Sequence, residues 1–335
     1  MFKEEIKRVT DKINKLKNEN TFIFSIVTDI HLYPMPYRTD NNLYYSQSVE
    51  NMRAVNSQTH HDILFHLGDV LGVGGFKVPP EYWTREKVEA TLMRNRRDYE
   101  NAFEKVYYVA GNHDGDFASV PIPDQWYRLM LAHQGIEVKK EKDTIYYYVD
   151  FPEKKVRAIC LMSSYHDGNG SYFGYDKPQL EWLCKEALMV PQGYKILVFS
   201  HISPIDVPSR KLDNVSDFRG VFEAYKNRTS FEGNRITVDF SDAKGELVAH
   251  FGGHTHADWV AEKGAFPMRV IETASNLPHY AENDWKIQQG AISRMRNGNE
   301  NDKTADLWDT VVYDMKKNTL EIIRFGSGED RRVVL

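Results

Sequence analysis

The sequence predicts an α/β protein with a buried, largely parallel β-sheet. Three short apolar runs rich in β-branched and aromatic residues, at 21–28, 62–67 and 106–110, have the length and composition of strands covered on both faces. Each run ends in polar residues, and helical patterns separate one run from the next. Strands that alternate with helices are typical of parallel sheets built from βαβ units.

Composition and charge limit the class of protein. The 335 residues are 41% hydrophobic and 27% charged, which is ordinary for a soluble globular chain. A formal net charge of −5 gives no overall basic field, so nucleic acid is disfavoured as a partner without being ruled out. No apolar stretch is long enough to cross a bilayer, and the N-terminus is too polar for a signal peptide. We therefore expect a cytoplasmic protein that has no membrane partner.

Residues 1–20 are predicted to form an amphipathic helix. Apolar residues at alternating spacings of four and three make one seam, formed by Phe2, Ile6, Val9, Ile13 and Leu16. The favoured interpretation is a helix that packs on its own domain. The alternative is a short coiled-coil seam that mediates self-association or attachment to a larger assembly. We assign residues 21–335 to a single domain, because the polar motifs described below span 29 to 256 and any division would split them.

The remaining elements follow in chain order. Helices are expected at 46–59, 84–103, 124–133 and 218–225, and one more begins at Asp176 with Pro178 in its first turn. Strands are expected at 146–149, 156–162, 194–200, 247–251, 268–273, 307–314 and 319–325. We interpret 146–162 as part of a second, more antiparallel sheet and the last strands as a C-terminal β layer. Cys160 and Cys184 fall within such elements and are expected to be buried free thiols.

Polar residues that bind metals in proteins follow five of these strands. They occur as Asp-x-His, Gly-Asp, Gly-Asn-His-Asp, a single His and Gly-His-x-His, and they comprise Asp29, His31, Asp69, Asn112, His113, His201, His254 and His256. In open α/β sheets, ligands bind at the carboxyl ends of the strands. Imidazole and carboxylate donors without cysteine suit Mn, Fe, Zn or Ni. So many donors are more than one ion needs, which favours a pair of divalent ions.

In their order along the chain, these five motifs resemble those of the calcineurin-like metallophosphoesterases, over about residues 21–325. The resemblance implies a four-layer αββα sandwich of two mixed β-sheets flanked by helices. It also implies two metal positions that share one bridging carboxylate. The implied ligands are Asp29, His31 and His256 for the first ion, Asn112, His201 and His254 for the second, and Asp69 for both.

The resemblance further implies hydrolysis of a phosphodiester or phosphomonoester. A hydroxide bound between the two metals would attack phosphorus, and a protonated His113 would donate to the leaving oxygen as general acid. Asp114 either hydrogen-bonds His113 and raises its pKa or caps the local backbone; the two alternatives have about equal weight. His113 and Asp114 complete the expected catalytic set.

The substrate and the functional class stay partly open. Long loops at 33–45, 71–83, 163–175 and 202–235 favour a small phosphorylated substrate. One alternative is an exonuclease that uses the same binuclear site. Another is a non-catalytic assembly module, of the kind found with phages, whose metal site is idle. The intact His113 argues against the idle site.

Other histidines and basic residues receive structural interpretations. Histidines outside the five motifs are expected to be structural, namely His60, His61, His66, His133, His250 and His279, while His166 is left undecided. A group of cations follows His201 and either clamps a substrate phosphate or faces solvent: Arg210, Lys211, Arg219, Arg228 and Arg235. The solvated face is the favoured reading.

Overall fold

Two six-stranded β-sheets lie face to face at the centre of the protein. The computed structural model describes residues 1–35, 39–61, 63–72, 84–114, 126, 129–131, 145–166, 171–205, 212–276 and 303–335. The strands of the first sheet are β1 (Thr21–Val27), β2 (Ile63–His66), β3 (Lys105–Tyr108), β14 (Leu307–Asp314), β15 (Thr319–Gly326) and β16 (Arg331–Val334). Their order across the sheet is β16-β15-β14-β1-β2-β3.

The second sheet is built from the middle of the chain. Its strands are β4 (Tyr147–Phe151), β5 (Val156–Cys160), β8 (Lys195–Phe199), β11 (Glu246–Gly252), β12 (Trp259–Val260) and β13 (Arg269–Glu272). Their order is β12-β13-β11-β8-β5-β4. Two small antiparallel ribbons pair β6 (Ser164–His166) with β7 (Ser171–Phe173) and β9 (Ser230–Glu232) with β10 (Thr237–Asp239).

Both sheets are mixed, as the resemblance implied. In the first, β1, β2 and β3 are parallel, while β14 pairs antiparallel with β1, β15 with β14, and β16 with β15. The strands at 307–325 therefore extend the first sheet, and the strand expected at 268–273 belongs to the second, so they do not form a separate C-terminal layer. In the second, β5, β8, β11 and β13 are parallel, and only the edge strands β4 and β12 are antiparallel. The expectation of a more antiparallel second sheet is wrong, because the one hairpin that suggested it lies at the sheet edge.

Aromatic side chains fill the space between the sheets. The Phe65 ring of β2 stacks on Phe199 of β8, with ring centroids 3.9 Å apart. Phe24 of β1 meets both Phe199 and Phe251 edge-on, at 5.7 and 5.5 Å. Because strand side chains alternate between faces, the neighbours of Phe199 on β8 point the other way and pack under helices. The strands are therefore apolar and buried on both faces, as the continuous apolar runs predicted.

Helices cover the outer faces and complete the four layers. They are α1 (Lys3–Leu16), α2 (Thr39–Thr59), α3 (Arg85–Glu100), α4 (Lys177–Trp182) and α5 (Val215–Asn227), with a π-helical turn, Leu183–Ala187, after α4 and 3-10 turns at Pro152–Lys154 and Lys303–Ala305. Residues of α1, α2 and α3 share a core with the first sheet, and residues of α4 and α5 share one with the second. The helix expected at 124–133 lies outside the described residues except for 126 and 129–131.

The apolar seam of α1 packs inside the molecule. Val9 and Ile13 are completely buried, and Ile6 is 7% exposed. They belong to the same core as β14 and β15. Arg8 and Lys12 on the same helix pair with Asp330 in the segment that leads into β16. The helix is thus held by both apolar and charged contacts to the C-terminal strands. Among the helices that the structure describes, none combines the length and the apolarity needed to span a membrane.

Candidate metal centre

The candidate ligands converge beyond the carboxyl ends of five parallel strands, β1, β2, β3, β8 and β11. Backbone hydrogen bonds continue the β1–β2 pairing past the strands, from Asp29 N to Gly68 O at 3.0 Å and from His31 N to Asp69 O at 3.1 Å. In the second sheet, Gly253 N donates to His201 O at 2.9 Å. These bonds hold neighbouring polar turns in register within each sheet.

Unusual backbone geometry marks the same turns. Ten non-glycine residues in the described part of the chain have positive φ, and five of them are candidate ligands: Asp29, His31, Asp69, His254 and His256. The left-handed region is unfavourable for residues with a Cβ, and residues held there cluster at functional sites. The concentration of this strain in three turns at one edge indicates that these side chains are held in functional positions.

The first group of donors comprises Asp29, His31 and His256. The Nε2 atom of His256 lies 3.0 Å from Asp29 Oδ1 and 3.1 Å from His31 Nε2. The distance from His31 Nε2 to Asp29 Oδ1 is 3.7 Å. The other carboxylate oxygen of Asp29 is already engaged, since it accepts from Thr28 Oγ1 at 2.7 Å and from His254 N at 2.9 Å. Oδ1 is thereby directed towards the two imidazoles.

The second group comprises Asp69, His201 and His254. His201 Nε2 lies 3.2 Å from Asp69 Oδ2 and 3.3 Å from His254 Nδ1. Asp69 Oδ1 accepts from His113 N at 2.8 Å, so Oδ2 is the oxygen that faces the rings. The same oxygen is 3.8 Å from His31 Nε2 of the first group. Asp69 therefore lies between the two groups.

Asn112 and His113 follow β3 beside Asp69. Asn112 is buried, and its Oδ1 has no hydrogen-bond partner among the described residues. Buried polar atoms are almost always satisfied, so such an atom calls for a ligand, an ion or a water. The His113 side chain is the more open of the two at 23% exposed, and its Nε2 lies 3.8 Å from Asp69 Oδ2.

Two glycines allow the turns to approach this closely. A Cβ on Gly111 would collide with the backbone nitrogen and the carboxylate of Asp69. A Cβ on Gly253 would lie 2.6 Å from Asp29 Oδ2 and even closer to Thr28 Oγ1. Both glycines are therefore required by the packing of the ligand-bearing turns, one in each sheet.

The ionisable side chains of the cluster strongly shift one another's pKa values. Burial raises the pKa of Asp29, but the imidazoles of His256 and His201 outweigh it and hold that pKa well below its ordinary value. The pKa of Asp69 is likewise lowered, with His201 the main opposing partner of burial. Burial lowers the pKa of His201, yet Asp69 and Asp29 raise it to about 9. Two carboxylates and several imidazoles thus share a site that favours bound positive charge.

The hydrogen bonds of Asp114 distinguish between its two expected roles. Its carboxylate accepts from Gly111 N at 2.9 Å and from Leu71 N at 3.0 Å. Both oxygens accept from backbone donors and brace the turn, as the capping alternative expects, and among the described residues no hydrogen bond joins Asp114 to the His113 ring. Burial accordingly lowers the pKa of His113 to about 4, against the expectation of a raised value.

The donor atoms fit two divalent metal ions. Ligand atoms each ~2.1 Å from one ion lie about 3.0–3.4 Å from each other in octahedral or tetrahedral geometry. The contacts of His256 with Asp29 and of His201 with Asp69, at 3.0 and 3.2 Å, fall in this range. Each group brings together donors of the nitrogen and oxygen types that transition metals prefer.

Comparison with known proteins agrees with this geometry. The family model for calcineurin-like phosphoesterases matches residues 24–258. The chain belongs to the calcineurin-like phosphoesterase family. All five sequence motifs lie inside the matched range, and the membership indicates a phosphoesterase hydrolase. No curated protein matches the chain.

Solved structures that resemble this family member are distant in sequence. A Staphylococcus aureus protein assigned as a 5′-nucleotidase is 14% identical, with a TM-score of 0.48, and the match covers 94% of this chain and 54% of that one. Yfce, a phosphoesterase from E. coli, is 14% identical, with a TM-score of 0.35 and coverage of 93% and 98%. The phosphopantetheinyl hydrolase of Mycobacterium tuberculosis is 12% identical, with a TM-score of 0.32 and coverage of 75% and 89%. Family membership rests on the match of residues 24–258.

Several other polar residues have structural contacts in this family member. His61 bonds Ser25 Oγ and Thr59 Oγ1, and His250 bonds Ser200 Oγ, each as a buried side chain within the core. Of the basic residues after His201, Arg219 and Arg228 donate to backbone carbonyls, and Arg235 lies 3.7 Å from Asp213. Other residues assigned from sequence lie outside the described residues, namely His133, His279, Arg210 and Lys211.

Two residues that support the site were not identified from the sequence. Thr28 fixes one oxygen of Asp29, and Glu272 of β13 reaches the turn that carries His254 and His256. Thr28 carries no distinctive signal, because a threonine at the end of a strand is common. Glu272 does carry one, since a carboxylate in an otherwise apolar strand is seldom buried without a partner.

Proposed function

We propose that this phosphoesterase uses two divalent metal ions to hydrolyse a small phosphodiester or phosphomonoester. Asp29, His31 and His256 would hold the first ion. Asn112, His201 and His254 would hold the second, and Asp69 would bridge both. The metals could be Mn, Fe, Zn or Ni, which suit donors of these types.

One observation carries the proposal. The Oδ2 atom of Asp69 lies 3.2 Å from His201 Nε2 in one donor group and 3.8 Å from His31 Nε2 in the other. A carboxylate shared between two groups of donors is the arrangement that a bridging ligand requires. A single ion would leave one of the two groups as a buried set of donors without a cation. When bound, such a pair of ions lowers the pKa of a shared water and binds phosphate oxygens.

The protein residues would orient and neutralise the reactants. Asn112 contributes a neutral oxygen, so the site keeps net positive charge for an anionic phosphate. The engaged second oxygens of Asp29 and Asp69 keep both carboxylates from rotating. Because these carboxylates are held in position before the substrate binds, the site needs little reorganisation during the reaction.

His113 would deliver the proton to the leaving oxygen. It is the most open of the histidines that contact Asp69. Burial lowers the pKa of His113 to about 4 in the metal-free protein. A substrate phosphate beside the ring would favour its protonated form. General acid catalysis of this kind contributes about 10²–10⁴-fold.

The deciding experiment combines metal analysis with an assay. Purified protein should contain about two transition-metal ions per chain and should hydrolyse bis-p-nitrophenyl phosphate or p-nitrophenyl phosphate in Mn²⁺. A chelator should abolish the activity, and the ratio of the two rates would give the preference for diester or monoester. In Asp69→Asn, occupancy of both positions should fall. No bound metal after reconstitution, or two ions held at wild-type affinity in Asp69→Asn, would contradict the proposed site.

A further inference from the structure

The turn that carries His254 and His256 is attached to a single residue of the neighbouring strand. It connects β11 to β12, and both strands pair with β13. At one end Gly252 is the partner of Glu272, and at the other end Trp259 is the partner of the same Glu272. Both ends of the turn are therefore fixed at one point of β13.

The side chain of Glu272 also enters the turn. Its Oε2 accepts from the hydroxyl of Thr255 and, at 2.6 Å, from Trp259 Nε1. Thr255 lies between the two candidate ligands, whose φ angles are +68° for His254 and +58° for His256. The carboxylate is thus bonded to the centre of the strained segment as well as to its far end.

This carboxylate is unusual for its surroundings. Glu272 is 1% exposed, and within the described part of the chain no lysine, arginine or histidine forms an ion pair with its side chain. Burial raises the pKa of the Glu272 carboxyl to about 7, because a buried charge without a cation is costly. A valine or isoleucine would suit β13 better, so the stability of the sheet does not explain a glutamate here.

The hydrogen bond to Glu272 stabilises the strained backbone of the turn, which offsets the cost of burying the glutamate side chain. Left-handed backbone is unfavourable at a residue with a Cβ and persists only where neighbouring groups enforce it. Two such residues flank Thr255, and the Glu272 carboxylate holds the hydroxyl between them. Without that bond, the segment 254–256 could relax towards ordinary φ values, and both imidazoles would turn away from the donor groups.

We infer that Glu272 is a positioning residue for metal binding, acting through Thr255 to hold His254 and His256 towards separate ions. The inference rests on the proposed function. Groups that orient metal ligands without touching the metal typically change affinity by 10–100-fold. Glu272 would couple the two metal positions, because a single bond steadies one ligand of each.

The test compares variants of Thr255, which can lose the bond without disturbing the core. Thr255→Val replaces the hydroxyl by a methyl group of similar size, and Thr255→Ser keeps the hydroxyl. Glu272→Leu removes both acceptor oxygens, and Trp259→Phe removes the other donor to the same oxygen. Mn²⁺ affinity is measured by calorimetric titration of the metal-free protein, and Tm is measured on the same samples.

The inference expects Thr255→Val and Glu272→Leu to bind Mn²⁺ about 10–100-fold more weakly, while Thr255→Ser stays close to wild type. Trp259→Phe should lower Tm without a comparable loss of affinity. Wild-type affinity in Thr255→Val, or equal losses in Thr255→Val and Thr255→Ser, would overturn it.

The wild-type protein separates the two proposals. If it binds Mn²⁺ and hydrolyses a phosphate ester while Thr255→Val binds equally well, only the role of Glu272 fails. If the wild-type protein binds no Mn²⁺ and hydrolyses neither ester, the proposed function fails, and the role of Glu272 fails with it.

Discussion

The Nδ1–H of His201 donates a 2.7 Å hydrogen bond to the carbonyl oxygen of Leu67. A carbonyl only accepts, so Nδ1 keeps its proton, and Nε2 is the atom that faces Asp69. Leu67 comes immediately before Gly68 and Asp69, so one turn of the first sheet orients a ligand from each sheet. A second hydrogen bond of this kind is a common feature of metal-binding histidines, where it fixes the tautomer and the ring orientation.

Replacing His201 should therefore remove a metal without unfolding the protein. In His201→Ala we expect the metal content to fall from about two ions per chain to about one or none. His61→Gln is the matched control, because the His61 side chain is also buried, and its hydrogen bonds among the described residues go to Ser25 and Thr59, away from the donor groups. The control should lower Tm and keep wild-type metal content, as measured by elemental analysis. Equal metal losses in both variants would show that His201 acts only through packing.

Replacing His113 should separate turnover from binding. His113→Ala should keep both ions and lose about 10²–10⁴-fold in kcat. The loss should be smallest for p-nitrophenyl esters, whose leaving group needs little help from an acid, and larger for alkyl esters. Paired metal analysis and kinetics on both ester types check this. A drop in metal content together with activity would instead make His113 a ligand, as its 3.8 Å distance from Asp69 would allow.

A methyl group on Gly253 should disturb the site more than the fold. Gly253→Ala would push against Thr28 and Asp29, so the first ion should bind more weakly, and Tm should also fall. Gly193→Ala is the control, because Gly193 has φ +84° and a Cβ there would meet only Lys155, at 3.9 Å. The control should cost about 1 kcal/mol of stability through backbone strain and leave Mn²⁺ affinity unchanged. Unchanged affinity in Gly253→Ala would mean that Asp29 is free to move.

The buried charges around Arg324 of β15 should dominate the stability of the C-terminal strands. Arg324 is 1% exposed and bonds Asp309 at 2.8 Å and Asp258 at 2.6 Å. Without it, Arg331 alone would pair with these two carboxylates, and one buried negative charge would stay uncompensated, so Arg324→Met should cost about 3–5 kcal/mol in the free energy of unfolding. Arg332→Ala, which breaks an exposed pair with Glu321, should cost about 1 kcal/mol or less. Urea unfolding of both variants measures the difference, and similar costs would contradict the assignment.

Glu5 of α1 should make stability depend on pH. Burial raises the pKa of Glu5, but its bonds to Arg8 and to Gly326 N outweigh it and lower the pKa below the ordinary 4.5. A carboxyl group with a lowered folded pKa stabilises the protein above its unfolded pKa and loses that effect as pH falls through the folded value. Glu5→Gln should therefore lower Tm at pH 7, and the difference from wild type should shrink below pH 4.5. A constant difference from pH 7 to pH 3 would exclude Glu5 as the source.

The strands and the donor set were predictable because both depend on local sequence. The apolar runs of β1 and β8 are buried on both faces, which leaves a clear pattern, and the polar residues that end them stand out against it. Parallel strands then bring those residues to one edge. The resemblance to a known family supplied the grouping into two sets of ligands, which residue types alone do not give.

Other features depend on contacts between distant segments and left no local pattern. Nothing in 307–325 indicates that β14 pairs with β1 rather than forming a separate layer. The role of Asp114 depended on which backbone N–H groups the fold brings to it, namely those of Gly111 and Leu71. The positive φ of Asp29 and Asp69 also follows from the meeting of turns and not from the residues themselves.

The antiparallel pairing of β1 with β14 has a consequence for biosynthesis. Ser25 of β1 lies opposite Thr310, so nearly the whole chain separates the two strands. Until the ribosome has released residues 307–314, one edge of β1 has open hydrogen-bonding groups and an apolar surface, a combination that promotes aggregation. Pairing across such a long loop is also slow. A nascent or truncated chain that ends before 307 should therefore depend on chaperones, even though all the candidate ligands have already been made.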